Sequence, residues 1–139
     1  MGSGDKVGMS QSKTPTIAVV TGASGGVGAQ TARLLAERGY RVALVARRRN
    51  VLDEVAGAMP EDAQPIVIPV DLSDPDAVES VIAPALETLG PVGVLVNAAG
   101  QGYYRPFLAT ASEPHRRLMN LHYGAAGELI GLVLPGPLD

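Results

Sequence analysis

Short apolar runs alternate with amphipathic segments along the chain from residue 14 onward. Four runs are short and almost continuously apolar, which is typical of buried strands. They are Thr16 to Val20, Arg41 to Ala46, Pro65 to Val70 and Val92 to Asn97. Because a strand exposed on one face alternates with polar residues, continuous apolar runs favour a parallel sheet covered on both faces. The pattern therefore predicts a doubly wound α/β fold with right-handed crossovers.

Helical periodicity occupies the segments between and after these strands. The predicted helices run from Gln30 to Arg38, from Arg49 to Ala58, from Asp74 to Leu89 and from about Glu113 to Leu134. Gly39 is placed to end the first helix. Pro84 should kink or interrupt the third helix, because proline has no backbone N–H to donate. Residues 98–107 are expected to form a loop.

The length of 139 residues predicts one domain. We assign residues 14–139 to this domain. Residues 1–13 are interpreted as a flexible leader or a remnant of recombinant expression, because Met9 is a second plausible start. They are excluded from the fold prediction.

Composition excludes several classes of site and partner. The chain has no cysteine, and its two histidines, His115 and His122, have no acidic partner in a ligand pattern, so we expect no metal site. The net charge of −3, with both signs interspersed, argues against nucleic-acid binding. No apolar run is long enough to cross a bilayer, and the N-terminus lacks the apolar segment of a signal peptide. A soluble cytoplasmic protein is expected.

The stretch TGASGGVG, Thr21 to Gly28, lies between the first predicted strand and the first predicted helix. Backbone N–H groups at a helix N-terminus carry partial positive charge and suit a pyrophosphate. Gly22 can make the tight turn, Gly26 allows backbone to approach the phosphates, and Gly28 allows the helix to pack close to the strand. Thr21 and Ser24 add hydroxyls for the loop or the phosphates. The alternative is an ordinary glycine-rich turn.

Three arginines follow the second predicted strand, which ends at Ala46. A chain that selects NAD usually has a carboxylate there for the ribose 2′-hydroxyl, whereas arginine offers a 2′-phosphate a charge-assisted contact. We therefore expect NADP(H) in preference to NAD(H), with Arg47 as the first candidate and Arg48 as the second. The alternative is a solvated basic start to a helix, although adjacent cations are unfavourable there without an anion.

Three motifs together resemble the short-chain dehydrogenase/reductase family, over about Pro15 to Pro135. They are T-G-x-x-x-G-x-G from Thr21, VDLSD from Val70 and NAAG from Asn97. The resemblance implies that Asp71 accepts a hydrogen bond from the adenine amino group and that the NAAG turn passes near the ribose. The cofactor contacts that it implies are Thr21, Gly22, Ser24, Gly25, Gly26, Val27, Gly28, Asp71, Leu72, Asn97, Ala98, Ala99 and Gly100.

The family's chemistry also needs a serine, a tyrosine with a lysine four residues later, and a relay asparagine on the fourth helix. The four tyrosines here are followed four residues later by Leu44, Phe107, Leu108 and Gly127, so no such dyad exists in these 139 residues. LVLPG, Leu132 to Gly136, resembles the close of the family's fourth helix. Residues 14–139 are therefore expected to be the N-terminal half of such a domain, an incomplete dinucleotide-binding domain of Rossmann type that ends after the fourth helix and has strand order 3-2-1-4. Either Asn120 or His122 would hold the relay position.

The expected function is an NADP(H)-dependent oxidoreductase of this family, acting on a carbonyl or a secondary alcohol. One alternative is a non-catalytic half-domain that binds a nucleotide or assembles with another subunit, and another is a folding fragment without function. The fourth strand would be an unpaired, apolar edge, which predicts association of copies through this strand or the fourth helix. No nucleic-acid or membrane partner is expected.

Overall fold

The computed structural model describes residues 15–134. Four parallel strands form one sheet: β1 (Ile17–Thr21), β2 (Arg41–Ala46), β3 (Ile66–Pro69) and β4 (Val92–Asn97). Their spatial order is β3-β2-β1-β4, and every pairing is parallel. The α/β class and the predicted order 3-2-1-4 are therefore confirmed. The predicted leader, residues 1–13, lies outside the described residues, as do Pro135 and Gly136 of the LVLPG motif.

Helices connect the strands and cover both faces of the sheet. They are α1 (Gly26–Glu37), α2 (Arg49–Gly57), α3 (Ala83–Glu87), α4 (Ser112–Met119) and α5 (Ala125–Val133). A π-helical turn, Val78–Ile82, leads directly into α3, and a second π-helical segment, Asn120–Gly124, joins α4 to α5. A short 3-10 turn, Phe107–Ala109, precedes α4. The final predicted helix is thus one continuous helical rod with a π-helical centre.

The starts of two helices differ from the sequence prediction. Helix α1 begins at Gly26, inside the glycine-rich stretch, rather than at Gln30. The third predicted helix begins at Val78 rather than at Asp74, because residues 71–77 form turns closed by bonds such as Ala77 N–H to Asp74 O. The interruption predicted at Pro84 takes the form of the π-helical turn that precedes it. Pro84 cannot donate to the carbonyl of Ser80, so the usual four-residue spacing fails there.

The sheet is buried on both faces, which explains its continuously apolar strands. Successive side chains of a strand point to opposite faces. On one face Ile17 and Val19 of β1 pack in a cluster with Ile82, Leu86 and Leu129 from the helical segments after β3 and β4. On the other face Ala18 and Val20 pack in a cluster with Ala32 and Ala36 of α1 and Leu52 of α2. All five residues of β1 are buried, as expected for a central strand.

Strand β4 forms one edge of the sheet. Its register with β1 slips between Ile17, which pairs with Val92, and Ala18, which pairs with Val94. Gly93 is the extra residue of this bulge, and such an irregularity locally bends a strand. Within residues 15–134 no strand pairs with the outer side of β4. Its backbone edge is therefore free to pair with another strand.

Two glycines allow the loop after β1 to pack tightly. A Cβ at Gly28 would overlap the carbonyl of Gly22, so only a glycine lets the first turn of α1 lie against the end of β1. A Cβ at Gly22 would lie 2.6 Å from the carbonyl oxygen of Ala98 and 2.8 Å from the nitrogen of Ala99. Gly22 also has φ +64, a left-handed conformation that favours glycine. The loop after β1 therefore contacts the turn after β4 backbone to backbone.

Gly28→Ala should destabilise the fold, because backbone atoms of Gly22 cannot move aside without displacing α1. We expect a loss of about 1–3 kcal/mol or more in the free energy of unfolding, measured by urea denaturation followed by circular dichroism. Gly127→Ala is the matched control, because a Cβ there meets nothing within 4 Å. Since alanine is the better helix former, the control should gain up to about 1 kcal/mol. Equal stabilities for the two variants would contradict the packing described for Gly28.

Candidate functional site

The glycine-rich loop presents free backbone N–H groups at the carboxyl end of β1. Gly25 precedes α1 in an extended conformation, no side chain caps the helix, and its first turn contains no acidic residue. The first N–H groups of an α-helix have no partner within the helix, and they carry the positive end of its dipole. The start of α1 is therefore suited to an anion rather than to a neutral or cationic group.

The outer side of this loop is open. A Cβ at Gly25 or at Gly26 would meet nothing within 4 Å, in contrast to the crowded positions of Gly22 and Gly28. Gly26 also has φ +56. The four glycines thus divide by role: two allow protein segments to approach each other, and two leave space in front of the helix N-terminus. Together with the unpartnered N–H groups, this arrangement fits a pyrophosphate.

The side chain of Thr21 lies inside the protein rather than in the open space. Thr21 is only 1% exposed. Its Oγ1 accepts hydrogen bonds from the N–H groups of Ala98 and Ala99, both at 3.1 Å, and lies 3.4 Å from the carbonyl oxygen of Val96. We expected a hydroxyl for the loop or the phosphates. The hydroxyl instead joins the end of β1 to the turn after β4.

One cleft brings the three sequence motifs together at the carboxyl ends of the strands. It comprises about 640 Å³ of space, its solvent-open mouth included. Its walls include Gly22, Ser24, Arg47, Arg48, Asp71, Leu72, Ser73, Ala99, Gly100, Gln101 and Leu121. Other predicted residues lie outside these walls: Thr21 is buried, Val27 is exposed on α1, Asn97 lines a smaller neighbouring cavity, and Ala98 packs against Gly22. The wall residues do not include Gly25, Gly26 and Gly28 at the start of α1 either. In open α/β sheets this edge is where ligands bind.

Two arginines form the wall of the cleft beyond β2. Arg47 and Arg48 are both exposed, whereas Arg49 begins α2 and lies outside the cleft walls. Among residues 15–134 neither the side chain of Arg47 nor that of Arg48 has a hydrogen-bond or ion-pair partner. The first turn of α2 holds no acidic residue either. Both guanidinium groups are therefore available to an anion in the cleft.

Asp71 forms the opposite wall, and its carboxylate is held at both oxygens. Oδ1 accepts hydrogen bonds from the Ser73 N–H at 2.9 Å and the Ser73 hydroxyl at 2.7 Å. Oδ2 lies 3.4 Å from Nη2 of Arg117 on α4. Partial burial by itself raises the pKa of Asp71, but the hydrogen bonds of Ser73 and the charge of Arg117 outweigh it, so the pKa lies below its usual value. Sequence analysis did not anticipate Arg117, which lies 46 residues from Asp71.

The two candidates for the relay position contact different turns. Nδ2 of Asn120 donates to the carbonyl oxygen of Ser73 at 2.7 Å, in the turn after β3. Nε2 of His122 lies 3.1 Å from the N–H of Gln101 and 2.9 Å from its carbonyl oxygen, in the loop after β4. Which of these two contacts is the hydrogen bond depends on the tautomer of the imidazole. A Cβ on Gly100 would lie 2.8 Å from Cε1 of His122, so the ring occupies the space beside this glycine.

The family described as short chain dehydrogenase has a sequence model that matches residues 16–136. The chain belongs to the short-chain dehydrogenase family. A fatty acyl-CoA reductase of Mycobacterium tuberculosis is 33% identical to this short-chain dehydrogenase chain over 124 residues, which are 87% of the chain and 42% of the relative.

Solved structures of the family show the same architecture. L-sorbose reductase from Gluconobacter frateurii, complexed with NADPH and L-sorbose, superposes with a TM-score of 0.77 at 30% identity, over 86% of this chain and 46% of that one. A metagenomic short-chain oxidoreductase in complex with NADP superposes with a TM-score of 0.75 at 33% identity, over 86% and 55% of the respective chains. This short-chain dehydrogenase chain therefore spans about half the length of the relatives that it matches.

Two further observations concern membrane-spanning helices and metal sites in the described part of the chain. No helix within residues 15–134 is both long and apolar enough to cross a membrane. The same residues contain no group of three or more histidine, aspartate or glutamate side chains arranged to hold a metal ion.

The lowered pKa of Asp71 predicts a pH-dependent contribution to stability. A carboxylate whose pKa is lower when folded stabilises the fold above its unfolded pKa, about 3.9, and loses this effect as the pH falls through the folded value. The difference in unfolding free energy between the wild type and Asp71→Asn should therefore be largest near pH 7 and shrink below pH 4. Urea denaturation at several pH values measures it. A difference that stays constant down to pH 3 would contradict the contacts of Asp71.

Proposed function

We propose that this chain is the cofactor-binding half of an NADP(H)-dependent short-chain oxidoreductase that acts on a carbonyl or a secondary alcohol. The observation that carries the proposal is the cleft whose walls include Gly22 and Ser24 of the glycine-rich loop, two arginines whose side chains have no partner within the described residues, and the oriented carboxylate of Asp71. Relatives with the same fold have been solved with NADPH and with NADP, which supports the class of cofactor.

The residues of the cleft suit different parts of the dinucleotide. The N–H groups at the start of α1, with the open sides of Gly25 and Gly26, would hold the pyrophosphate. The carboxylate of Asp71 would accept a hydrogen bond from the adenine amino group. Ala99 and Gly100 would lie near the ribose. The bound cofactor would supply the nicotinamide that accepts or gives up a hydride.

The preference for NADP(H) depends on the end of β2. The position that holds a carboxylate in many NAD-specific chains is Ala46 here, and the next residues are Arg47 and Arg48. A guanidinium can make two charge-assisted hydrogen bonds to a 2′-phosphate. Arg47 is our first candidate for this contact and Arg48 is the second, because both line the cleft without a protein partner in the described part of the chain.

The relay position is assigned to His122 in this proposal. Its ring reaches Gln101 beside the NAAG turn, on the side of the cleft where the ribose would lie. The amide of Asn120 is already engaged by the carbonyl of Ser73. If His122 holds the position, the family's relay is altered, because an imidazole replaces an amide. No proton-transfer group is assigned among the tyrosines, because none has a lysine four residues later.

The same observation favours a second candidate function, a half-domain that binds a nucleotide or assembles with another subunit without catalysing a reaction. The first candidate requires the dinucleotide site, and so does the nucleotide-binding form of the second. The two candidates differ in one measurable property. Only the first predicts that the protein, once a catalytic half is supplied, oxidises NADPH in the presence of a panel of ketones. Absence of oxidation in the completed protein would favour the second.

We also propose that copies of the chain associate through the outer edge of β4 and the adjoining helical rod. The edge of β4 has no strand partner within the described residues. The rod and its end also carry exposed apolar side chains, namely Met119, Tyr123, Ile130 and Leu134. A free, apolar strand edge readily pairs with another chain.

Arg47 gives the sharpest test of the preference for NADP(H) over NAD(H). Calorimetric titration of the wild type should show tighter binding of NADPH than of NADH. Arg47→Asp should weaken NADPH binding by about 10–100-fold, because a charge-assisted contact is lost and a repulsive carboxylate is gained, and should shift the preference toward NADH. Arg49→Asp is the matched control, since Arg49 lies outside the cleft, and it should change either affinity by less than about three-fold.

Two results would contradict these assignments separately. If folded protein binds neither dinucleotide at millimolar concentration, the proposed function is wrong. If Arg49→Asp weakens NADPH binding as much as Arg47→Asp does, the effect is one of general charge, and the assignment of the 2′-phosphate contact to Arg47 is wrong.

Association can be measured by sedimentation velocity over a range of protein concentrations. We expect dimers or larger species whose fraction rises with concentration. Tyr123→Lys, which adds a charge to an exposed apolar position of the rod, should reduce this fraction, because charged residues are depleted at the buried centre of protein interfaces. A folded monomer at all concentrations would contradict the proposed association.

A further inference from the structure

One face of the helical rod contacts the turn after β3 at two points. Arg117 of α4 and Asn120 of the π-helical segment are three residues apart, so both side chains lie on the same side of the rod. Arg117 reaches the carboxylate of Asp71, and Asn120 reaches the backbone of Ser73. Arg117 and Asp71 are separated by 46 positions in the chain, and Asn120 and Ser73 by 47.

Ser73 links Asn120 to Asp71. Ser73 is buried, and its carbonyl oxygen accepts a hydrogen bond of 2.7 Å from Nδ2 of Asn120. The N–H and the hydroxyl of the same serine both donate to Oδ1 of Asp71. Because one residue makes all three bonds, fixing the Ser73 backbone also fixes the direction in which the carboxylate of Asp71 points.

Arg117 acts on the other carboxylate oxygen. Its Nη2 lies 3.4 Å from Oδ2 of Asp71, and its Nε lies 3.8 Å from Oε1 of Glu113, one turn earlier on α4. Both members of the Asp71–Arg117 pair are nearly half exposed, and pairs of this kind add little to stability. We therefore expect Arg117 to affect the orientation and charge of Asp71 rather than the free energy of folding.

We propose that Arg117 and Asn120 are positioning residues, which hold the carboxylate of Asp71 ready to accept a hydrogen bond from the exocyclic amino group of a 6-aminopurine. The inference rests on the proposed dinucleotide function and extends it to α4, a helix that contributes no residue to the three sequence motifs. The selectivity of the cleft for adenine over a purine without the amino group then depends on residues outside the glycine-rich loop.

The charges around Asp71 come from three elements. Arg47 and Arg48, which follow β2, line the same cleft as Asp71. Asp74 lies in its own turn, and Glu113, Arg116 and Arg117 of α4 line the groove on the other side. Of the four arginines named, Arg117 alone has a guanidinium nitrogen within 4 Å of the Asp71 carboxylate in the described part of the chain. Removal of Arg117 therefore raises the pKa of Asp71.

The inference is tested with two probes, NADPH and its deamino analogue, in which hypoxanthine replaces adenine. Calorimetry gives the ratio of the two affinities for each variant. The wild type should prefer NADPH by about 10–100-fold, the value of one hydrogen bond to a charged group. Arg117→Ala and Asn120→Ala should each lower this ratio to about two-fold or less. Arg117→Lys should restore part of it. Circular dichroism confirms that each variant is folded.

Arg116→Ala is the matched control. Arg116 is adjacent on α4, but its guanidinium lies 3.4 Å from the Ser112 hydroxyl and makes no ion pair with Asp71. This variant should keep the wild-type ratio. As the pH is lowered toward 4, the ratio should fall at a higher pH in Arg117→Ala than in the wild type, because its Asp71 is protonated earlier. A merely structural role of Arg117 would not produce that shift.

The outcomes separate the inference from the function on which it rests. A wild-type protein that binds neither probe overturns the proposed function and this inference with it. A wild-type preference for NADPH that Arg117→Ala and Asn120→Ala leave unchanged overturns this inference alone. A preference that increases in Arg117→Ala also overturns it, since Arg117 would then compete with the amino group for Oδ2.

Discussion

The buried hydroxyl of Thr21 joins the two loops on which the cleft depends. It accepts hydrogen bonds from two consecutive N–H groups after β4, while Gly22 packs against the same backbone. Buried polar groups without partners are costly, so the loop after β1 and the turn after β4 satisfy each other. The loop is thereby directed outward, and the N-terminus of α1 faces open space instead of protein. The anion-binding character of the cleft follows from this contact.

The helical rod formed by α4 and α5 supports the cleft from behind. Arg117 and Asn120 contact the turn after β3, and His122 contacts the loop after β4. Each contact is a single hydrogen bond or a partly exposed ion pair, worth about 1 kcal/mol in net stability. Their common origin on one rigid element matters more than their individual strengths, because it sets the distance between the two turns. The cleft is lined by the loops that follow all four strands, and the rod adds Leu121 to its walls.

The periodicity of the sequence predicted the strands better than the ends of the helices. Strands β2 and β4 have the predicted bounds, because a polar residue closes each apolar run, Arg47 after β2 and Asn97 at the end of β4. Helix α1 begins earlier than predicted, since the glycine at its start offers no capping side chain as a signal. The turn after β3 replaces a predicted helical turn, because Asp71 and Asp74 bond nearby backbone N–H groups instead.

The sequence by itself determined the fold class, the order of the strands, the glycine-rich loop and the arginines after β2. These features depend on local patterns and on short motifs whose geometry is nearly the same wherever they occur. Tertiary structure alone decided the inward direction of the Thr21 hydroxyl, the pairing of Arg117 with Asp71 and the contact of Asn120 with Ser73. The partners in these contacts are separated by 46 to 77 residues. Arg117 and Asn120 meet their partners because the helical rod crosses the carboxyl ends of β3 and β4, and Thr21 meets Ala98 because β1 pairs with β4. No local periodicity encodes the crossing or the pairing.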